Sequence, residues 1–283
     1  MIWKNGAKAA FALGLDLDGR TIWRNKAHKL PGGQDFIKGV SIGDFGVKVG
    51  TPRLLDILDE YGLKATWFIP AEIVEEHPKT VQIILARGHE IAHHGYDHRG
   101  NYGNTTEEQI AYIEKCQDVF LKYTGVKAKG FRGTGSILPD TARWLYTDGG
   151  FVYESCGVSG EACTWVEVEG EKTKAVNIPC RDEMMDDYMQ TVMNSYPQVL
   201  VGMPRIAPYR NPYENWMNEV KGIIRYGTAG SPAFHPQIAG TPGRAIMFER
   251  FCRYLVENSS LWCSNCIDLA EYFIEHNGGG DHE

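Results

Sequence analysis

Short apolar runs alternate with amphipathic segments along the whole of this sequence, and no other feature limits its fold as strongly. The apolar runs predict buried strands, and the segments between them carry apolar residues at helical spacing. Strands are predicted at 9–18, 64–70, 90–92, 130–132, 151–153, 175–178 and 232–235, and helices at 52–61, 78–87, 106–123, 140–148, 211–225, 243–258 and 267–276. This alternation is typical of a parallel sheet, and about seven strands in one chain indicate a closed α/β barrel of the TIM type.

Residues 19–50 interrupt the alternation. They show no sustained period and carry glycines at positions 32, 33, 39, 43, 46 and 50, so a long functional loop is predicted there. In the helix that follows, Thr51 is predicted to be the N-cap and Gly62 to mark the end. Residues 1–277 are expected to form one barrel domain, and 278–283 a frayed tail.

The composition is that of an ordinary globular protein, with 43% hydrophobic and 23% charged residues. The net charge of −7 and the lack of a dense Lys/Arg run argue against nucleic acid and membrane as partners, since both require a concentrated positive patch. The apolar run near the N-terminus meets Asp16 too soon for a signal peptide or a membrane span, so a cytoplasmic enzyme is expected. The seven cysteines, odd in number and scattered, are expected to be reduced thiols.

Imidazoles and carboxylates are dense in residues 88–98. His94 and His98 lie four positions apart, so on a helix or in a tight loop their rings project to one side and can reach one cation. An ordinary polar loop is an equally good interpretation of these two histidines alone. The choice between the two depends on the rest of the chain.

Polar residues at the ends of other predicted strands favour the metal site. They are Asp16 and Asp18 after the first strand, Arg132 after a middle strand, and His235 near the C-terminus. In a parallel barrel such strand ends converge. A divalent cation bound by His94, His98 and one of the two aspartates would keep positions open for water and substrate. A neutral His235 nearby is suited to protonate a leaving group.

Four short motifs follow one another along the chain: Asp16-Leu17-Asp18, the segment from His94 to His98, Phe131-Arg132 and Phe234-His235-Pro236. In this order they resemble the motifs of the polysaccharide deacetylase family, carbohydrate esterase family four, from about residue 11 to residue 239. The resemblance is to the branch with Helicobacter-type peptidoglycan deacetylases and allantoinase-like proteins. It implies a distorted seven-stranded (β/α) barrel, the NodB fold.

The resemblance also implies roles for the motif residues. The metal ligands become Asp18, His94 and His98, and the metal is most often zinc, with cobalt, nickel or manganese as substitutes. The catalytic groups become Asp16 as general base, Arg132 as the residue that orients it, and His235 as general acid. A homo-oligomer, with pocket walls shared between subunits, is expected.

Several further residues are candidates for the substrate pocket. Two depart from the family pattern and are expected on its wall: Thr134, where proline is usual, and His93, where serine or asparagine is usual. Trp23 in the predicted loop is a candidate for substrate contact, although it would equally serve to cover apolar surface. Glu154 stands where the family has an acidic residue, and it is expected to lie at the substrate site and orient His235.

The predicted reaction is hydrolysis of an amide-like C–N bond. The family default is removal of an acetyl group from an N-acetyl sugar, and a small cyclic ureide or imide is at least as strongly expected for a cytoplasmic enzyme. The predicted partner is a small molecule or an N-acyl sugar, and neither nucleic acid nor a membrane is predicted as a partner.

Two alternatives belong to other classes. Residues 15–21 also resemble the Asp-x-Asp-x-Thr signature of haloacid-dehalogenase-type phosphatases, which use magnesium, and Asp186 and Asp187 would be the later acidic pair. That interpretation leaves the three motif histidines unexplained. The second alternative is a barrel that binds a ligand without converting it, but such a protein has no need for both Asp16 and His235.

Overall fold

The computed structural model describes residues 2–29, 32, 33, 35, 37–156, 160–187 and 207–278. Within this part of the chain the strands are β1 (Ala9–Ala12), β2 (Gly14–Asp16), β3 (Thr66–Ile69), β4 (Glu90–His93), β5 (Gly130–Phe131), β6 (Tyr153–Glu154), β7 (Thr164–Val168), β8 (Glu171–Asn177), β9 (Ala229–Gly230) and β10 (Leu261–Ser264). The helices are α1 (Thr21–His28), α2 (Ile37–Phe45), α3 (Thr51–Glu60), α4 (Ala71–Glu76), α5 (Pro78–Ala86), α6 (Thr106–Thr124), α7 (Pro139–Leu145), α8 (Arg210–Tyr226), α9 (Pro236–Ala239), α10 (Pro242–Glu257) and α11 (Cys266–Asn277). A π-helical turn, Gly46–Gly50, joins α2 to α3.

The strands form a distorted barrel. One sheet has the order β2-β3-β4-β5-β6-β8-β7, parallel except for β7, and the other has the order β10-β1-β9. The segment after β9 closes the ring. Ser231 donates its N–H to the carbonyl of Pro179, just beyond β8, at 2.8 Å, and Phe234 pairs with Leu15 of β2. The predicted seven-stranded barrel is therefore confirmed.

At Leu13 the chain passes from the sheet that contains β1 to the sheet that contains β2. The N–H of Leu13 donates to Ser264 of β10 at 2.9 Å, and its carbonyl accepts from Thr66 of β3 at 2.8 Å. The predicted strand at 9–18 is thus present as the two pieces β1 and β2. Both are buried at every position, which explains why the sequence shows an unbroken apolar run instead of alternation.

The loop predicted at 19–50 is wrong, because α1, α2 and the π-helical turn occupy most of its described residues. Glycines that suggested a loop lie at contacts between segments of the chain. A Cβ atom on Gly43 would lie 2.4 Å from the Cα of Arg20, and one on Gly50 would lie 2.1 Å from the carbonyl oxygen of Pro236. These glycines allow close packing of backbones.

The start of α3 also differs from the prediction. Thr51 does not cap the helix, because the chain before it is already helical: Gly50 has φ −62° and ψ −50°, and the Thr51 hydroxyl donates to the Gly46 carbonyl at 3.0 Å. Gly62 ends the helix with φ 63°, as predicted. The sequence prediction lacked α4, β7, β9, α9 and β10, which have six, five, two, four and four residues and are too short to show a clear period. The strand predicted at 232–235 is present only as isolated bridges of Ala233 and Phe234.

Among the described residues no helix is long and apolar enough to cross a membrane. All seven cysteines are free, as predicted. Of the predicted tail, Gly278 directly follows α11, and 279–283 lie outside the described residues.

Candidate metal centre and active site

The polar residues predicted at strand ends meet in one cavity. Asp16 ends β2, His94 follows β4, Arg132 follows β5, and His235 precedes α9, so parallel strands bring their carboxyl ends to the same side. The cavity has a volume of about 290 Å³, and its lining includes these four residues, His98 and Thr134. Larger cavities of about 360 and 470 Å³ lie elsewhere on the described surface, but neither holds a cluster of metal-binding side chains.

Asp18, His94 and His98 present one donor atom each to a common point. Nε2 of His94 and Nε2 of His98 both lie 3.6 Å from Oδ1 of Asp18, and the three donor atoms lie within 4.8 Å of one another. Two atoms bound to one tetrahedral zinc ion lie about 3.4 Å apart. The donor set and its spacing therefore fit a divalent ion.

The Asp18 carboxylate lacks a partner that a cation would supply. The side chain is fully buried, and its Oδ1 has no hydrogen-bond partner among the described residues. Burial raises the pKa of Asp18 above its ordinary value, although His98 and His235 oppose that shift. A buried carboxylate oxygen without a donor costs free energy, so the site is suited to a positive ion.

His94 is held in the tautomer that a metal ligand requires. Its Nδ1 lies 2.7 Å from the carbonyl oxygen of Arg132, which only accepts, so Nδ1 carries the proton and Nε2 faces Asp18 with its lone pair. Burial lowers the pKa of His94 to about 3, and the ring is therefore neutral at pH 7. Neutral imidazole is the form that binds metal ions.

The loop that carries His98 is tied to helix α1. His98 has φ 58°, a left-handed conformation that is uncommon for residues other than glycine. The Asn25 side chain donates to the carbonyl of Asp97 at 2.8 Å, and the Arg99 guanidinium donates to the Asn25 side chain at 3.3 Å. These contacts stabilise the backbone that directs His98 toward Asp18.

Arg132 holds Asp16 on one oxygen only. Nη1 of Arg132 donates to Oδ1 of Asp16 at 2.6 Å, and the other donors of the guanidinium bind Ser155 and Ser231. Oδ2 of Asp16 lies 3.8 Å from Nε2 of His94 and 4.0 Å from Nε2 of His235. Burial by itself would raise the pKa of Asp16, but Arg132 and the two imidazoles lower it below its ordinary value, so the carboxylate is ionised.

His235 is paired with an acidic residue, but that residue is Asp186. Oδ1 of Asp186 lies 3.0 Å from Nδ1 of His235, and Oδ2 accepts the backbone N–H of His235 at 2.7 Å. Burial alone would lower the pKa of His235, but the carboxylate of Asp186 and the nearby aspartates raise it to about 9. His235 is therefore protonated and positively charged at neutral pH, and the prediction of a neutral ring is wrong.

The structure corrects three predicted pocket residues. Trp23 is buried in α1 and packs with Ile22 and Ile238, away from the cavity. Glu154 does not orient His235 or line the cavity, because its carboxylate accepts the hydroxyl of Tyr146. His93 lies on the other face of β4, as alternation along a strand requires, where its ring stacks on Phe131 at 5.1 Å.

Thr134 lies where it was expected, on the cavity wall. The hydroxyl of Tyr102 is 3.0 Å from its Oγ1 and accepts its backbone N–H at 2.7 Å. The side chain is therefore fixed beside Arg132 and faces the same space.

Sequence reasoning missed four residues that support the site: Asp186, Ser155, Ser231 and Gln237. Asp186 was considered only for the phosphatase alternative. The only sequence feature that could have singled out Asp186 is its position in the acidic pair Asp186-Asp187. Nothing in the sequence connects it to His235. Gln237 stands two residues after His235, and Ser155 directly follows Glu154, so proximity to a motif was the available signal in both cases.

The phosphatase alternative receives no support from these contacts. Asp186 is bound to His235, and Asp187 forms a buried ion pair with Arg244. The acidic pair is therefore not free to bind the magnesium ion that the alternative requires.

The sequence is similar to known proteins over the region that carries the cavity residues. The sequence pattern of the family described as polysaccharide deacetylase matches residues 42–153, which include His94, His98 and Arg132. The peptidoglycan deacetylase of Helicobacter pylori is 23% identical over 296 residues, which cover 94% of this chain and 96% of that protein.

Solved structures extend the similarity over the barrel. One assigned to the polysaccharide deacetylases, from Mycobacterium smegmatis, has a TM-score of 0.86 and 26% identity, and covers 98% of this chain and 93% of its own. The PuuE allantoinase has the same fold, with a TM-score of 0.82 at 19% identity over 98% of this chain and 94% of its own. The predicted hydrolase class, acting on carbon–nitrogen bonds, is confirmed at the level of the family. The chain is therefore similar to the polysaccharide deacetylases, by the family pattern over residues 42–153 and by sequence and fold over nearly its whole length.

Proposed function

We propose that this protein is a metal-dependent hydrolase that cleaves an amide-like C–N bond of a small substrate. The observation that carries the proposal is the unpartnered Oδ1 of Asp18, buried 3.6 Å from both His94 and His98. Asp16 and His235 flank this triad, with Nε2 of His235 3.7 Å from Oδ2 of Asp18. A ligand-binding barrel would need the triad but not both flanking groups.

Asp18, His94 and His98 would hold the metal. We propose zinc, because two imidazoles and one carboxylate with an open position are typical of catalytic zinc sites, and cobalt, nickel or manganese would substitute. When bound, such an ion polarises a carbonyl group and lowers the pKa of water. The chain's own groups complete the chemistry.

Asp16 is the general base of the proposed mechanism. Arg132 occupies its Oδ1 and keeps it ionised, so Oδ2 is available to take a proton from the attacking water. His235 is the general acid. Its Nε2 faces the cavity because Asp186 binds Nδ1, and it gives its proton to the departing nitrogen.

The size of the cavity favours a substrate with one or two rings. Its volume of about 290 Å³ is at the low end for ligand pockets, which are about 300–1,000 Å³. We therefore propose an N-acetylated amino sugar or a small cyclic ureide or imide. The first agrees with the Helicobacter relative and the second with the allantoinase neighbour. The homo-oligomer and the cytoplasmic location stay predictions.

The decisive experiment compares substrates on protein stripped of metal and reloaded with zinc, cobalt, nickel, manganese or magnesium. N-acetylglucosamine and its short oligomers, allantoin, hydantoin and succinimide are incubated with each form, and acetate or ring-opened product is measured. We expect zinc-dependent turnover of one of these classes. Magnesium-dependent phosphate release from phosphate esters, without amide hydrolysis, would contradict the proposal.

Asp16→Asn tests the assigned base. It should lower turnover about 10²- to 10⁴-fold while the metal content stays the same. Asp140→Asn is the control, because Asp140 is exposed on α7 and pairs only with Arg143 among the described residues, so full rate is expected. If Asp16→Asn kept the full rate, Asp16 would not be the base.

A further inference from the structure

The two oxygens of Asp18 face different partners. Oδ1 faces His94 and His98. Oδ2 accepts a hydrogen bond from Nε2 of Gln237 at 3.3 Å and lies 3.7 Å from Nε2 of His235, so Gln237 is its only hydrogen-bond donor among the described residues. The backbone carbonyl of Asp18 is also held, by the hydroxyl of Thr21 at 2.8 Å. Because Asp18 is fully buried, the carboxylate depends on these groups for its orientation.

Gln237 is itself fixed by backbone packing. It lies in α9, two residues after His235, and only 2% of it is exposed. A Cβ atom on Gly46 would lie 2.8 Å from the Cβ of Gln237 and 2.9 Å from its backbone nitrogen, so glycine at 46 lets the π-helical turn press against this residue. The side chain therefore reaches Asp18 from a rigid base.

The amide of Gln237 makes one side-chain contact and leaves a group unsatisfied. Its Oε1 is buried without a hydrogen-bond partner among the described residues. A buried unsatisfied oxygen lowers stability, and a methionine of similar size would avoid that loss. The hydrogen bond to Asp18 is thus the one favourable contact with a described residue that glutamine makes here and methionine would not.

We propose that Gln237 is a positioning residue for the metal site. By binding Oδ2 of Asp18, it directs a single oxygen, Oδ1, toward the two histidines and so raises metal affinity. Groups that hydrogen-bond to a metal ligand orient that ligand, and their loss weakens binding. This inference rests on the proposed function, because it assumes that Asp18 binds a metal.

Gln237→Met tests the role directly, since it keeps the length of the side chain and removes the donor. Metal-free protein is titrated with Zn²⁺ in competition with a chromophoric chelator, and we expect the affinity to fall about 10- to 100-fold. The Co²⁺-loaded protein should show an altered visible absorption spectrum, because Asp18 is free to turn and change the coordination. Gln237→Asn, whose side chain is shorter by one methylene group, should also weaken Zn²⁺ binding. It replaces Gln237→Met in the test if that variant does not fold.

Gln117→Met is the matched control. Gln117 is a buried glutamine on α6 whose amide donates to and accepts from the backbone of Ala128, at 2.8 and 2.9 Å. Its replacement should lower the Tm of the metal-free protein and leave the Zn²⁺ affinity unchanged. A loss of affinity in the Gln237 variants but not in this one separates positioning of Asp18 from loss of a buried amide.

Asp18→Asn separates failure of this inference from failure of the proposed function. If Asp18→Asn binds Zn²⁺ as tightly as the natural protein, the proposed metal site is wrong. If Asp18→Asn loses binding while folded Gln237 variants stay within twofold of the natural affinity with an unchanged Co²⁺ spectrum, only the role of Gln237 is overturned.

Discussion

Asp186 holds His235 with both of its carboxylate oxygens, one on the ring Nδ1 at 3.0 Å and one on the backbone N–H at 2.7 Å. The second contact fixes the backbone as well as the ring, so Nε2 stays turned toward Asp16 and Asp18. A carboxylate beside an imidazole also stabilises the protonated ring. Asp186 therefore sets both the direction and the proton affinity of His235.

Asp186→Asn should reduce kcat about 10²- to 10⁴-fold, with metal content unchanged. The pKa of His235, raised to about 9 mainly by Asp186 and further by Asp18 and Asp16, should fall without the Asp186 carboxylate. A general acid works only while protonated, so the alkaline limb of the rate profile should move to lower pH. Rate measurements from pH 6 to 10 test this, and an alkaline limb that stays in place would show that another group donates the proton.

Metal binding should stabilise the fold, because the ligands come from two separate segments, one after β2 and one after β4. Zinc at about 100 times its Kd should add about 2.7 kcal/mol to the free energy of unfolding. For a domain of this size that corresponds to a rise in Tm of roughly 4–5 °C. Calorimetry of the stripped protein with and without Zn²⁺ measures the shift. Asp18→Asn should lack it, and an equal shift in that variant would place the bound zinc elsewhere.

The sequence predicted the residues that line the cavity better than it predicted the contacts around them. His94 and Arg132 each follow a strand, and His235 follows the bridge between Phe234 and Leu15 of β2. A parallel barrel brings such positions together whatever the loops do. Asp186 and Gln237 reach their partners across 49 and 219 residues, and no local period connects them. Contacts of this kind depend on how strands and loops close in space, which periodicity does not encode.

The error at residues 19–50 has a different cause. Glycine marks turns where φ is positive, but Gly43 and Gly50 are helical and mark close contacts instead. A single sequence does not distinguish the two uses, since both require the absence of a Cβ atom. The structure separates them, and substitution at one of these positions tests the distinction.

Gly50→Ala should destabilise the protein by about 1–3 kcal/mol, because its Cβ atom would lie 2.1 Å from the carbonyl oxygen of Pro236, a backbone atom. Gly222→Ala is the matched control. Gly222 lies within α8, and the methyl group of an alanine there would meet no described atom within 4 Å outside its own helix backbone, so alanine should stabilise by about 0.5–1 kcal/mol. Urea denaturation measures both, and a Gly50→Ala protein as stable as the natural one would refute the tight contact.

Glu90 should make stability depend on pH from the opposite end of the barrel. Its carboxyl group accepts the hydroxyl of Tyr153 at 2.8 Å, the N–H of Ile267 at 3.0 Å and the hydroxyl of Thr66. Although part of the side chain is exposed, burial of the carboxyl group raises its pKa from 4.5 to about 7, against the effect of these donors. The folded protein therefore binds a proton between pH 4.5 and 7 that the unfolded chain has released.

The sign of the effect follows from proton linkage. Because the folded state holds the extra proton, the Glu90 contribution is complete below pH 4.5, declines as pH rises to about 7, and is constant above that. The decline is about 1.4 kcal/mol per pH unit, or about 3 kcal/mol in all.

Glu90→Gln should remove this slope, because a neutral amide keeps the acceptor for Tyr153 or Ile267 and does not titrate. The difference in unfolding free energy between the natural and variant proteins, measured from pH 5 to 8, isolates the contribution. Glu271→Gln, an exposed site on α11, should keep the natural slope, and an equal slope in Glu90→Gln would assign the pH dependence to another group.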